Sequence, residues 1–124
     1  MTASARLAEL GIALPDVPAP VAAYVPAVRV GEFVHTSGQL PFVDGRLSGV
    51  GKVGADVDPE TAAGLARIAV LNAVAAAAAA AGGVDAIEQV VKLVVFVASD
   101  PTFTGQPAVA NGASLLIGDI FGEA

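Results

Sequence analysis

The stretch DPETAAGLARIAVLNAVAAAAAAAGG, residues 58–83, limits this chain more than any other. Asp58 can cap free amides, Pro59 suits a first helical position, and Glu60 lies at the positive end of the dipole. Gly82 and Gly83 supply a stop. Alanine has the highest helix propensity of any residue. A long helix is therefore predicted, with so little side-chain bulk that a sheet or second helix must approach it closely. Its most apolar part, Arg67 to Ala81, is interrupted by Asn72 and reads as too short and too alanine-rich for a membrane span, which needs about 20 apolar residues.

The remaining segments arrange themselves around this helix. Residues 4–10 predict a short helix ended by Gly11. A Pro-rich arm follows, with Pro15, Pro18, Pro20 and Pro26; lacking ladder donors, it should be extended and irregular. The chain is read as one domain, residues 1–124, with this arm at about 1–26. Ala27–Val30 and Phe33–Ser37 predict two strands around a Gly31-Glu32 turn. Phe33 and His35 share one face, Val34 and Thr36 the other. Asp44-Gly45 marks a second turn, between Pro41–Val43 and Arg46–Leu47.

Val90–Ala98, VVKLVVFVA, is nearly continuous apolar and β-branched sequence. It predicts a central strand buried on both faces. Pro107 opens a second helix ending near Phe121-Gly122. Val109, Ala113, Leu116, Ile117 and Ile120 form its apolar stripe, with Asn111, Ser114 and Gly118 opposite. The order β-β-(β)-α-β-α leaves two helices facing few strands. Further strands are expected from a partner chain or from polypeptide beyond Ala124.

Six basic residues against twelve acidic ones give a net charge of −6. Nucleic-acid binding draws on clustered Lys and Arg, so RNA or DNA is disfavoured, and an anionic membrane likewise. Apolar residues make up 55% of the chain and mean hydropathy is +0.72, which points to surface covered by partner subunits. The absence of cysteine removes thiolate chemistry and fits a reducing compartment. No signal peptide is read at the N-terminus; a cytoplasmic location is expected.

Few motifs carry chemistry by themselves. GVGKVG, Gly49–Gly54, has the spacing of a dinucleotide loop, but the helix starts later and its acidic cap would repel phosphate; it reads as a loop. Gly51-Lys52 is no phosphate loop, because Val53 replaces the needed hydroxyl and Arg46 the first glycine. His35 is the sole histidine, with no converging metal ligands signalled. Taken singly, Tyr24 reads as a side chain packed under the arm and Asn111 as a solvated amide. The segment Thr36-Ser37-Gly38-Gln39 leaves two readings open. The strand stops at a surface turn, or its end presents polar groups to a ligand.

Together these residues resemble a family. Tyr24-x-x-Ala27-Val28-x-x-Gly31, Val34-x-Thr36-Ser37-Gly38-Gln39-Leu40-Pro41, Val90–Val97 and Pro107–Ser114 are similar, in order, to segments of the RidA (YjgF) family, also described as endoribonuclease L-PSP-like. The resemblance spans about residues 20–121. It implies an α+β, chorismate-mutase-like fold: a mixed sheet with two helices on one face, its last strands beyond Ala124. It also implies a homotrimer with ligand clefts between subunits and no cofactor. The implied activity is hydrolysis of reactive enamines and imines to 2-oxo acids and ammonia. The alternative is a trimeric small-molecule-binding or chaperone-like member without catalysis.

By the resemblance, Tyr24, Ser37, Gly38 and Asn111 line the cleft, the asparagine from a neighbouring subunit. The family's carboxylate-binding arginine and water-positioning glutamate match no residue here, so the catalytic residues are left unassigned. No metal ligands are expected.

Overall fold

The computed structural model describes residues 1–17 and 23–122; Pro18 and Pro20 of the arm lie outside them. The long helix forms where its signals place it: α2, Pro59–Ala81. The Asp58 carboxylate accepts from the Thr61 backbone amide at 2.8 Å, and Gly82 closes the helix in the left-handed region at φ 92°. Around it lie α1 (Ala3–Glu9), β1 (Ala27–Val30), β2 (Phe33–Thr36), β3 (Phe42–Val43), β4 (Arg46–Leu47), a 3-10 turn (Val84–Ala86) and α3 (Gln106–Phe121).

The α+β class holds. The strands form two antiparallel hairpins, β1–β2 and β3–β4. Both turns have the predicted chemistry. Gly31 sits at φ 61° between Val30 and its partner Phe33, and Asp44 and Gly45 take φ 51° and 78° between Val43 and Arg46. At Asp44-Gly45 both central residues take positive φ, and at Gly31-Glu32 the first does; both arrangements match strand twist.

Parallel pairing is confined, among the described residues, to bridges from Val53 to Val57 and to Ser99. The Gly49–Gly54 segment, read from the sequence as a loop, is thus a turn pinned by hydrogen bonds. Lys52 O accepts from three following amides, and the Lys52 amide donates to the Asp56 carboxylate at 3.0 Å.

Val90–Ala98 departs from expectation. Among the described residues it is not paired into a sheet along its length, and it is not buried on both faces. Leu93 and Val95 pack on the cluster of Leu7, Val70, Ala113, Leu116 and Ile120, and Val97 on Val53, Ala62 and Val109. Between them Val94 and Phe96 face outward, Phe96 with 93% of its surface exposed; Val91, at the start of the run and outside this alternation, is exposed as well. Alternation with period two is the mark of an extended chain covered on one side only.

The core lies between α2 and α3. Gly112 of α3 meets α2 so closely that a Cβ there would lie 2.0 Å from the Ala63 carbonyl oxygen. The apolar stripe of α3 behaves as predicted: Val109, Ala113, Leu116 and Ile120 are buried. The α1 helix rests on α3, with Leu7 in the core, and is fastened by Asp85. That carboxylate accepts from the Ser4 amide at 2.8 Å and from the Ser4 hydroxyl.

The α2 helix is also 23 residues long, with a mean hydropathy of 1.7 over its best window. By length and composition it could cross a bilayer, contrary to the expectation that this stretch is too short. Its contacts make it a core helix: it packs against α3 on one side and both hairpins on another.

Two predictions follow from this packing. Gly112→Ala forces a methyl into backbone that cannot yield, and overpacking of that kind costs about 1–3 kcal/mol or more. Gly64→Ala and Gly118→Ala sit in the same two helices with nothing within 4 Å of the new atom, and should gain about 0.5–1 kcal/mol. Urea denaturation of the three variants reads this contrast directly.

The second concerns acid. The Thr61 hydrogen bonds hold the Asp58 carboxyl below its ordinary value of 3.8, and the Ser4 bonds do the same for Asp85. A depressed carboxyl stabilises the fold above its unfolded value and loses that contribution as pH falls through the folded value. Thermal melts should therefore decline progressively below pH 3.8. Asp58→Asn and Asp85→Asn should lower stability at pH 7 and flatten the decline below pH 3.8.

Candidate functional site

Strand β2 ends at Thr36, the partner of Ala27, and the preceding Pro26 has no amide with which to continue the ladder. The next residue is tied back to that proline. The Ser37 amide donates to Pro26 O at 2.8 Å, and the Ser37 hydroxyl to the same oxygen at 3.2 Å. Gln39 Nε2 in turn donates to Ser37 Oγ at 3.3 Å. The hydroxyl is thus both donor and acceptor within the fold. It braces the corner and is not presented as a free nucleophile.

Gly38 follows at the apex. It is exposed, its φ lies outside the left-handed region, and a Cβ built on it meets nothing within 4 Å. Nothing among the described residues requires glycine there. The space beside it is open, as the wall of a ligand site needs to be.

Beyond the corner, the chain makes a three-residue turn. The Phe42 amide donates to Leu40 O at 2.8 Å, around Pro41, whose fixed φ suits that turn. Phe42 then enters the β3–β4 hairpin, and the Ser48 amide closes onto Pro41 O at 2.9 Å.

Asn72 anchors this segment to α2. Its Nδ2 donates to Leu40 O at 2.9 Å and to Phe42 O at 3.0 Å. It is 1% exposed, the one buried polar side chain among the described residues. Sequence reading saw it only as an interruption in an apolar run. That interruption was the signal: an amide in the middle of an alanine helix is costly unless bonded.

The other expected site residues are placed apart. Tyr24 is 43% exposed, two residues before the Pro26 carbonyl that holds Ser37. Asn111 is exposed on α3, adjacent to the Gly112 crossing. Helix α3 packs on α2 and α1 and touches neither hairpin, so α2 stands between Asn111 and the Ser37-Gly38 corner. Ser37 and Gly38 follow β2, Tyr24 precedes β1 by three residues, and Asn111 lies on α3. His35 is exposed, on the same outward face as Val28, Val30 and Phe33. Among the described residues, no three His, Asp or Glu side chains converge as metal ligands.

Comparison with known proteins accords with this geometry. A family model described as "YjgF/chorismate mutase-like, putative endoribonuclease" matches residues 4–124. Protein TCP17 of Trypanosoma cruzi is 45% identical over 120 residues, covering 97% of this chain and 75% of that protein. The crystal structure of a "putative endoribonuclease" from Shewanella oneidensis MR-1 superposes with a TM-score of 0.88 at 33% identity, covering 100% of this chain and 82% of that one. A protein of unknown function from Agrobacterium tumefaciens gives a TM-score of 0.86 at 41% identity, over 98% and 74% of the two chains. The fold, the ordered elements around an alanine-rich α2 and the match over nearly the whole chain place this protein in the YjgF/chorismate mutase-like family.

Proposed function

We propose that the protein hydrolyses reactive enamine and imine intermediates derived from amino acids, yielding 2-oxo acids and ammonia, in a cleft between copies of a cytoplasmic homotrimer. The observation that carries this reading is the Ser37-Gly38 corner: a braced hydroxyl beside a glycine with open space where a side chain would stand. A planar imino acid can lie against such backbone without steric conflict. An enamine first tautomerises to its imine; water adds to the imine carbon, the carbon–nitrogen bond breaks as the water oxygen becomes the carbonyl, and both water protons end on the nitrogen, which leaves as ammonia. Hydrolysis of this kind is redox-neutral and calls for no cofactor.

The position of Asn111 supports a shared cleft. Helix α2 separates it from the corner within one chain, so the two meet only across neighbouring copies. In that arrangement its side-chain amide donates to the substrate carboxylate or carbonyl. Tyr24, at the edge of the corner, supplies an aromatic wall.

Exposed apolar faces support the assembly. Val28, Val30 and Phe33 project from the β1–β2 hairpin, and Val91, Val94 and Phe96 from the extended segment. Fully burying one phenylalanine contributes about 2 kcal/mol, which repeated over several side chains and three interfaces is enough to hold copies together. The family description includes endoribonuclease. A chain of net charge −6 lacks the electrostatic footprint for RNA, so the deaminase reading is preferred.

Freshly generated 2-aminoacrylate should release pyruvate and ammonia faster with the protein than in buffer. Gly38→Val should reduce that rate at least about tenfold by filling the space a ligand occupies, with no fall in melting temperature, because the added atoms meet open space. A rate equal to buffer overturns the deaminase reading, and RNA cleavage surviving stringent purification would put the nuclease in its place. In sedimentation velocity, Phe96→Asp should shift the protein from trimer to monomer. An unchanged trimer would mean that this face is not the interface.

A further inference from the structure

Asn72 makes two hydrogen bonds that reach outside its own helix. Its two amide protons go to the carbonyls on either side of the Pro41 turn, Leu40 O and Phe42 O. Those carbonyls belong to the segment that leaves the Ser37-Gly38 corner. The corner is therefore held at two ends: by Pro26 O at Ser37, and by α2 through Asn72 at Leu40 and Phe42. Between these anchors, Gly38 and Gln39 carry one further bond among the described residues, Gln39 Nε2 to Ser37 Oγ.

The geometry of a side-chain amide explains the residue type. Two N–H donors leave one planar nitrogen at about 120°, and two carbonyls separated by a single residue can take one each. Serine or threonine would offer one donor, and an aspartate none when ionised. A lysine would put a charge at a position that is 1% exposed. Glutamine would move the amide outward by one methylene. The surrounding residues of α2 are chosen for absence of bulk, and this one for two directed donors.

We infer that Asn72 is a positioning residue for the candidate site: it fixes the segment 37–42 against α2 and so sets where the Gly38 wall faces. Its claim on ligand binding rests on the proposed cleft at Ser37-Gly38; its claim on the segment's conformation does not. An Asn72 that only filled the core would affect all of the protein's stability in common. One that positions the segment affects that segment first.

The experiment compares wild type with Asn72→Asp, which keeps the shape but faces carbonyls with acceptors, and Asn72→Leu, which keeps the volume without donors. Amide hydrogen exchange is followed at Phe42 and Ser48, whose amides are bonded within the segment, and at Leu116 and Ala78 in the helical core. Affinity for 2-oxobutanoate, a stable product-like probe, is measured by NMR titration. The expected result is exchange at Phe42 and Ser48 at least tenfold faster than wild type, core exchange changed much less, and 2-oxobutanoate affinity weakened about tenfold. Gly38→Val, as reference, should lose the probe while leaving exchange at Phe42 and Ser48 unchanged.

Exchange that is unaltered in both variants, or that rises equally in segment and core, overturns the inference. So does a local rise with unchanged affinity. If the wild-type protein binds no 2-oxobutanoate and turns over no 2-aminoacrylate, the proposed function fails, and the exchange comparison alone decides whether Asn72 holds the segment.

Discussion

The approach of Gly112 to the Ala63 carbonyl sets the spacing of everything else. Two helices can come that close only when neither interposes a side chain, and this chain meets the condition from both sides. Helix α2 offers alanine, and α3 offers glycine at the crossing with alanine one residue on. Once α3 is seated, its stripe of Val109, Ala113, Leu116 and Ile120 closes the core, and α1 is laid over it through Leu7. The other side of α2 is left for the hairpins. A helix without bulk thus serves as a spine approached from two directions.

The same spine organises the candidate site. Because α2 lies between α3 and the hairpins, the polar residues of α3 cannot reach the Ser37-Gly38 corner of their own chain by a direct path. The corner is braced instead by short local bonds and by the single polar side chain that α2 directs toward it. On the proposed function, an open glycine on such a braced segment would leave little conformational freedom to be lost on binding. The side chains of Phe33 and Phe96 lie on the surface of this chain and not in its core.

Much of this was legible in the sequence, where local chemistry decides the outcome. Asp58, Pro59 and Gly82 bounded α2, and Asp44-Gly45 fixed a turn, because caps and positive-φ positions depend on a few adjacent atoms. Val90–Ala98 was misread for the opposite reason. A run of apolar residues is equally compatible with burial on two faces and with one buried face beside an exposed one, and only tertiary neighbours tell them apart. The pinned turn at Gly49–Gly54 depended on Val53 meeting Ala98 and Asp100, far along the chain. Asn72 showed in the sequence as an interruption, but its partners did not, because they lie some thirty residues upstream. Of the site, Tyr24, Ser37, Gly38 and Asn111 were reached through a resemblance to a family. Residue chemistry alone left Tyr24 as a packed ring and Asn111 as a surface amide.

The central claim is that one site is assembled from two copies of this chain, the glycine corner from one and the α3 asparagine from the other. A crystal structure of the assembled protein with a bound 2-oxo acid tests it most directly. The account predicts ligand density against the Ser37-Gly38 backbone of one protomer, within hydrogen-bonding distance of Asn111 from its neighbour. Ligand density at any other place, or a Gly38 corner covered by its neighbour with no room for a ligand, would contradict it.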